Sequence, residues 1–202
     1  MLKKLIYSDG ILRFLPPIID KDGWPWNEEV SPAVYSARKE WPKISIVTPS
    51  YNQGVFIEET IRSILLQNYP NLEYIIIDAL SDDDTISIIK KYEDKISYWI
   101  GEKDNGQADA INKGVKLCSG EIFNWINSDD LLTKNSLFII AEEYINNPNL
   151  KVIAGSCISF KDKLPTEHKY NKQDLSFEGL ITEKSNFQQP SQWLNMKKYE
   201  VL

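Results

Sequence analysis

From Lys43 onward the chain alternates short β-branched runs with amphipathic stretches, and this alternation constrains the fold more than any other feature. Ile44-Ser45-Ile46-Val47-Thr48 reads as a strand that Pro49 is expected to stop. Ile57, Ile61, Ile64 and Leu65 share one face of a helix over about 55–67, and Asn68-Tyr69-Pro70-Asn71 ends it. Leu72 to Ile77 is a second strand whose Ile run predicts burial on both faces, as in a parallel sheet. A short helix bearing Ile86, Ile89 and Tyr92 follows, then a strand at 96–100 and a helix at 107–118 that Ser119-Gly120 should close through a left-handed glycine. A fourth strand at 121–126, a helix carrying Leu137, Ile140, Ala141 and Tyr144, and a strand at 151–154 complete the series. The expected architecture is α/β, a mostly parallel central sheet with helices on both faces.

Residues 1–42 stand apart. Prolines at 16, 17, 25, 32 and 42 exclude a long regular element, while Trp24, Trp26 and Trp41 are too apolar for a free linker. This arm is expected to pack on the main unit as structural padding. The division read from the sequence is an arm (1–42), a core (43–160) and the beginning of a further region (161–202).

A net charge of −6 and only scattered Lys pairs argue against a nucleic-acid partner. No run approaches the length of a membrane span, so the chain reads as cytoplasmic. Cys118 and Cys157 read as two free buried thiols, and His168 as a surface residue with no metal-binding neighbour.

In an open parallel sheet, ligands bind outside the carboxyl ends of the strands. The segments just past those ends are Thr48-Pro49-Ser50-Tyr51-Asn52, Asp78, the run Glu102 to Gln107, and Asn127-Ser128-Asp129-Asp130. Three of the four carry carboxylates. Like charges converging on one edge repel, and a divalent cation with hard oxygen ligands, Mg²⁺ or Mn²⁺, is the simplest way to neutralise them. Each feature also has a plainer reading. Ser128-Asp129-Asp130 would suit the start of the next helix, Asp82-Asp83-Asp84 would serve a helix dipole, and Asp78 alone would suit a turn. No G-x-G-x-x-G follows the first strand, which counts against a dinucleotide-binding dehydrogenase, and the absence of G-x-x-x-x-G-K-[ST] excludes a P-loop NTPase.

Four ordered segments, Pro42 to Gln53, Leu72 to Asp78, Asp104 to Gly114 and Gly120 to Asp130, closely resemble family-2 glycosyltransferases of the GT-A fold. The likeness is good over about 40–160 and extends through Gln189-Pro190-Ser191. Even the Gly-Trp-Pro-Trp arm (23–26) is similar to extensions in some members. The resemblance implies an inverting transferase that moves a sugar from a nucleotide diphosphate sugar, a UDP-sugar being favoured, to a glycan or lipid-linked acceptor in cell-surface polysaccharide synthesis. It implies that Pro49 and Tyr51 line the base pocket, that Asp78 meets the base edge, and that Asp109 faces the ribose or sugar. Asn52, Gln107, Asn127 and Ser128 join the donor-binding set. Asn127-Ser128-Asp129 corresponds to the family's D-x-D element, so Asp129 and Asp130 would hold the metal on the diphosphate. It also leaves room for peripheral contact with the inner membrane face.

Two departures bear on this. Ala79 and Asp84 stand where glycines are usual, which is expected to alter the base-contacting loop. The family's base Asp lies beyond the Gln-Pro-Ser motif, and none follows Ser191 here; Glu200 is a poor substitute, so the base is expected beyond Leu202. The competing readings are a nucleotide-sugar-binding domain without the base and, less well supported, a sugar nucleotidyltransferase.

Overall fold

The Ile-rich segments pair with one another to build a six-stranded sheet. In this computed structural model, which describes residues 9–161, 164–166 and 189–198, the strands are β1 (Ile44–Ser50), β2 (Leu72–Asp78), β3 (Tyr98–Gly101), β4 (Ile122–Trp125), β5 (Val152–Ala154), β6 (Ser159–Lys161), β7 (Leu164–Thr166) and β8 (Gln192–Asn195). The helices are α1 (Ile57–Leu65), α2 (Thr85–Lys91), α3 (Gln107–Val115) and α4 (Ser136–Asn146). The sheet order is β3-β2-β1-β4-β8-β5, and β6 and β7 form a separate antiparallel pair. Strands β1 to β4 run parallel, whereas β8 pairs antiparallel with both β4 and β5. The sheet is thus mostly parallel, as expected, with one reversed strand that the unpatterned C-terminal third did not announce.

Period-2 alternation sorts the strand residues between two cores. Ile44, Ile46, Tyr74, Ile76 and Ile122 pack with Ile57, Ile61 and Ile64 of α1, Ile88 and Ile89 of α2, and Leu137 and Ile140 of α4. On the other face Val47, Ile75, Ile77 and Phe123 pack with Ala110 of α3. Helices therefore cover both faces, and β2 is buried on both, as its Ile run requires. Gly114 allows α3 to approach: an added Cβ would lie 2.5 Å from a methyl carbon of Val47.

Two local expectations are corrected. Pro49 does not end β1, which pairs with β2 as far as Ser50 opposite Asp78. Odd residues of β1 direct their backbone groups toward β4, as the Ile126 N–H to Val47 carbonyl bond of 2.9 Å shows. The β4 ladder stops at Val47, so the N–H that Pro49 lacks has no strand to serve. Gly120 does not take a left-handed conformation. The α3 helix closes at Lys116 with ordinary helical angles, and Gly120 is needed instead for closeness, since a Cβ there would fall 2.4 Å from Ser45 Oγ.

The arm is built into the first core. Val30, Tyr35 and Trp41 are buried in the cluster that holds α1 and β1, and Tyr35 meets the rings of Trp41 and Tyr69 edge-on at 5.3 and 5.4 Å. Arg62 of α1 is 1% exposed and donates to the carbonyls of Pro16 (3.1 Å), Pro25 (3.0 Å) and Trp26 (2.6 Å). No helix among the described residues is long and apolar enough to cross a membrane. Cys118 and Cys157 are free, as expected, but half-buried rather than buried. His168 and Glu200 lie outside the described residues.

Candidate active site

The parallel order β3-β2-β1-β4 sets four strand ends side by side, and the loops that leave them carry the candidate residues. At the β1 and β2 ends, Asp78 is fully buried. Its carboxylate oxygens accept from the Ser81 amide (2.8 Å) and hydroxyl (2.6 Å). Ser81 Oγ in turn accepts from the Asn52 amide at 2.8 Å, and Asn52 Oδ1 accepts from the Asp82 amide at 3.0 Å. Further along, the Gln53 amide donates to Thr85 Oγ1 (2.8 Å) and the Gly54 amide to Asp83 Oδ2 (2.8 Å). The loops after β1 and β2 are therefore stitched together, with Asp78 at the root. Pro49 is buried opposite Ile77, and Tyr51, two residues on, is 59% exposed.

The glycine-replacing residues do not strain this loop. The positive φ falls on Leu80 (60°) and Asn52 (52°), while Asp84 has φ −70°. Asn tolerates that region, whereas Leu does so rarely and only under surrounding constraint. Asp84 sits at the N-cap of α2 without a side-chain cap bond; Asp83 makes it instead, accepting from the Thr85 amide at 2.9 Å. The Thr85 hydroxyl and this amide hold the Asp83 carboxyl below the usual aspartate value.

At the β4 end a second bonded chain forms. Gln107, the first residue of α3, donates from Nε2 to Asn127 Oδ1 at 2.7 Å, and Asn127 Nδ2 donates to Asp130 Oδ2 at 2.8 Å. Asp129 is exposed and Asp130 half-buried. Burial raises the Asp130 pKa, the Asn127 amide opposes this, and the neighbouring Asp129 charge adds to the rise. Ser128 is buried, and its carbonyl accepts from Thr60 Oγ1 at 2.9 Å. The run 128–130 does not cap α4, which begins at Ser136 with Asn135 as its N-cap.

Asp109 belongs to a third group. Its Oδ2 accepts from the Asn105 amide (3.0 Å), which with Lys113 at 3.6 Å holds it below the usual aspartate value. Lys113 also pairs with Glu102 at 3.0 Å. Asp109 is thereby bound into the loop after β3. The Gln-Pro-Ser motif docks against β4: Gln189 Nε2 donates to the Trp125 carbonyl (2.6 Å) and Asn124 Oδ1 (3.1 Å), and Asn124 Nδ2 donates to the Pro190 carbonyl (2.9 Å).

Thus Gln107, Asn127 and Asp130 are joined directly, with Ser128 and Asp129 in the same loop, and Asn52 and Asp78 are joined through Ser81. Sequence reasoning passed over Ser81, Asn124 and a polar row comprising Thr60 and Ser63 of α1 and Gln67 in the turn that follows it. The row had a visible signal, since polar residues at i, i+3 and i+7 continue the helical spacing among the buried isoleucines of α1 and the turn after it.

Among the described residues no group of three or more His, Cys, Asp or Glu side chains is gathered into a metal cage. Two adjacent carboxylates, one of them raised in pKa by burial and by the other's charge, nonetheless fit an ion such as Mg²⁺ or Mn²⁺. Mg²⁺ commonly uses one or two carboxylates and fills its shell with water and substrate phosphate.

The model of the family "Glycosyl transferase family 2" matches residues 45–199. An uncharacterized glycosyltransferase of Rickettsia typhi is 40% identical over 96 residues, covering 48% of this chain and 30% of that protein. The putative teichuronic acid biosynthesis glycosyltransferase TuaG of Bacillus subtilis is 37% identical over 99 residues, covering 48% of this chain and 39% of its own. S. aureus TarS 1–349, solved in complex with UDP-GlcNAc, superposes with a TM-score of 0.63 at 20% identity, over 76% of this chain and 45% of that one. The chain thus spans a third or so of the curated relatives' length, and the structural likeness shows the GT-A fold.

Proposed function

Because the chain belongs to glycosyltransferase family 2, we propose that it binds a nucleotide diphosphate sugar at the carboxyl edge of its sheet and serves inverting transfer of the sugar. The observation that carries this reading is the pair of bonded networks at neighbouring strand ends, Asn52-Ser81-Asp78 on one side and Gln107-Asn127-Asp130 on the other. In it, residues 43–160 form the donor-binding core, 161–202 begin the acceptor side, and 1–42 brace the core.

Exposed Tyr51 offers a ring for the base to stack on, beside a loop that Asp78 and Ser81 keep fixed. Pro49 shapes the floor of that pocket. Asn127 holds Asp130 in one orientation, and Gln107 holds Asn127, so the carboxylate is presented without reorganisation. Asp129 and Asp130 would hold Mg²⁺ or Mn²⁺, which would offset the negative charge growing on the leaving diphosphate. Asp109 supports the loop that faces the donor's ribose or sugar. In the transfer itself the acceptor hydroxyl attacks the anomeric carbon, the bond to the diphosphate breaks on the opposite side, and the hydroxyl proton passes to a carboxylate base.

A UDP-sugar is the favoured donor, in line with the ligand bound to S. aureus TarS. A role in cell-surface polysaccharide synthesis is in line with the teichuronic acid biosynthesis named for the B. subtilis relative; the acceptor in this reading is a glycan or lipid-linked glycan, met on the cytoplasmic side in peripheral contact with the inner membrane face. Calorimetric titration of UDP, GDP and dTDP with and without Mn²⁺ tests the reading. Mn²⁺-dependent binding of one nucleotide is expected, and no binding of any would overturn it. Binding without transfer to any acceptor would favour a nucleotide-sugar-binding domain instead.

A further inference from the structure

Helix α1 turns polar side chains toward the loop that follows β4. Thr60 and Ser63 of α1, and Gln67 in the turn just after it, are all 0% exposed, beside a helix whose other buried positions are chiefly Ile and Leu. Buried polar groups cost free energy unless they find partners; Ser63 Oγ and Gln67 Nε2 each donate to a carbonyl of α1, Gln67 Oε1 has no partner among the described residues, and the remaining bonds go to backbone groups of one loop. Thr60 Oγ1 lies 2.9 Å from the carbonyl oxygens of both Ser128 and Asp130 and shares its single proton between them. Ser63 Oγ accepts from the Leu132 amide at 3.1 Å, and Gln67 Nε2 donates to the Thr133 carbonyl at 2.9 Å. From the arm, Trp24 Nε1 donates to the Leu132 carbonyl at 2.9 Å. Five backbone groups between Ser128 and Thr133 are therefore gripped by side chains from elsewhere. The loop has no helix cap of its own to hold it, because α4 starts only at Ser136.

We propose that Thr60, backed by Ser63, Gln67 and Trp24, is a positioning residue that fixes Asp129 and Asp130 for the cation and diphosphate. The inference rests on the donor-site reading above. Thr60 bonds to the peptide group that precedes Asp129 and to the one that follows Asp130, bracketing the two carboxylate residues, so its hydroxyl sets where both side chains emerge. An apolar residue of equal size would fill the same space and leave two carbonyls without a donor. The role follows from the helix row and the arm together, and gives the arm a part in the site.

The test is UDP binding measured across a Mn²⁺ series for the wild-type chain, Thr60→Val and Thr60→Ser. Thr60→Val is expected to need about tenfold more Mn²⁺ for half-maximal binding, the effect of losing one buried hydrogen bond. Excess Mn²⁺ should restore wild-type UDP affinity, and Thr60→Ser should behave as wild type. An unchanged Mn²⁺ requirement in Thr60→Val overturns the inference. So does a loss that excess Mn²⁺ and Thr60→Ser both fail to repair, since that marks general destabilisation. If Thr60→Val does not fold, Trp24→Phe carries the test: a raised Mn²⁺ requirement supports the inference and an unchanged one overturns it. Absence of UDP binding in the wild-type chain would instead strike the donor-site reading, and the inference would fall with it.

Discussion

Two buried or half-buried carboxylates in this chain do opposite things. Glu73, 1% exposed at the amino end of the sheet, accepts from Lys43 Nζ (2.6 Å), the Ser119 amide (2.7 Å) and the Ser119 hydroxyl (2.8 Å). Burial opposes its ionisation, but the Lys43 ammonium and the Ser45 and Ser119 donors outweigh that and hold the carboxyl below the usual glutamate value. A depressed folded pKa contributes stability above the unfolded value and loses it as pH falls through the folded one. Urea denaturation should therefore show stability falling below about pH 4.3, the unfolded reference, with a shallower fall in Glu73→Gln. Glu73→Ala, which strands Lys43 and its neighbours, should cost about 3 kcal/mol at neutral pH. Asp130 is the reverse case, raised by burial and by Asp129. Asp130→Asn should raise the Tm of the ligand-free chain by about 1–3 °C, small because the group is only partly screened from water, while abolishing Mn²⁺-dependent nucleotide binding. A fall in Tm would contradict the electrostatic account of that loop.

Elements report on packing and on what periodicity can reveal. Gly to Ala in a helix interior ordinarily stabilises by up to about 1 kcal/mol. At Gly114 the sign should invert, because the added methyl meets Val47 side-chain carbons at 2.5 and 2.7 Å in β1. Gly114→Ala should lower stability by about 1–3 kcal/mol in chemical denaturation. Arg62→Met should free the arm from α1 by deleting donors to Pro16, Pro25 and Trp26. Faster limited proteolysis within residues 9–42 is the expected readout. Strands β1 to β4 and helices α1 to α4 were legible because Ile and Val spacing follows burial, and the strand ends named the loops worth searching. Periodicity says nothing about which residue a strand lacks a partner for, so Pro49 was misread as a stop. Nor does it distinguish a glycine needed for closeness from one needed for positive φ, which is why Gly120 was misassigned. The reversed strand β8 has only four residues, Gln192 to Asn195, two of them buried, too brief to leave a pattern.

At the scale of the whole molecule, the sheet order brings far-separated segments to one edge, and α1 and Trp24 of the arm hold the loop after β4 there. Motif residues at strand ends were visible in the sequence because the fold leaves them little else to do. Their supports were harder to find: the polar spacing of Thr60 and Ser63 stood out on α1, but nothing local said what they hold, since Ser81, Thr60 and Asn124 act through contacts 3 to 70 positions away along the chain. The most direct measurement of the central claim is a crystal structure of the chain grown with UDP and Mn²⁺, using manganese anomalous scattering. The account predicts one manganese peak between Asp129 or Asp130 and the diphosphate, with uracil beside Tyr51. A manganese site remote from that loop, or UDP bound away from the carboxyl ends of β1, β2 and β4, would contradict it.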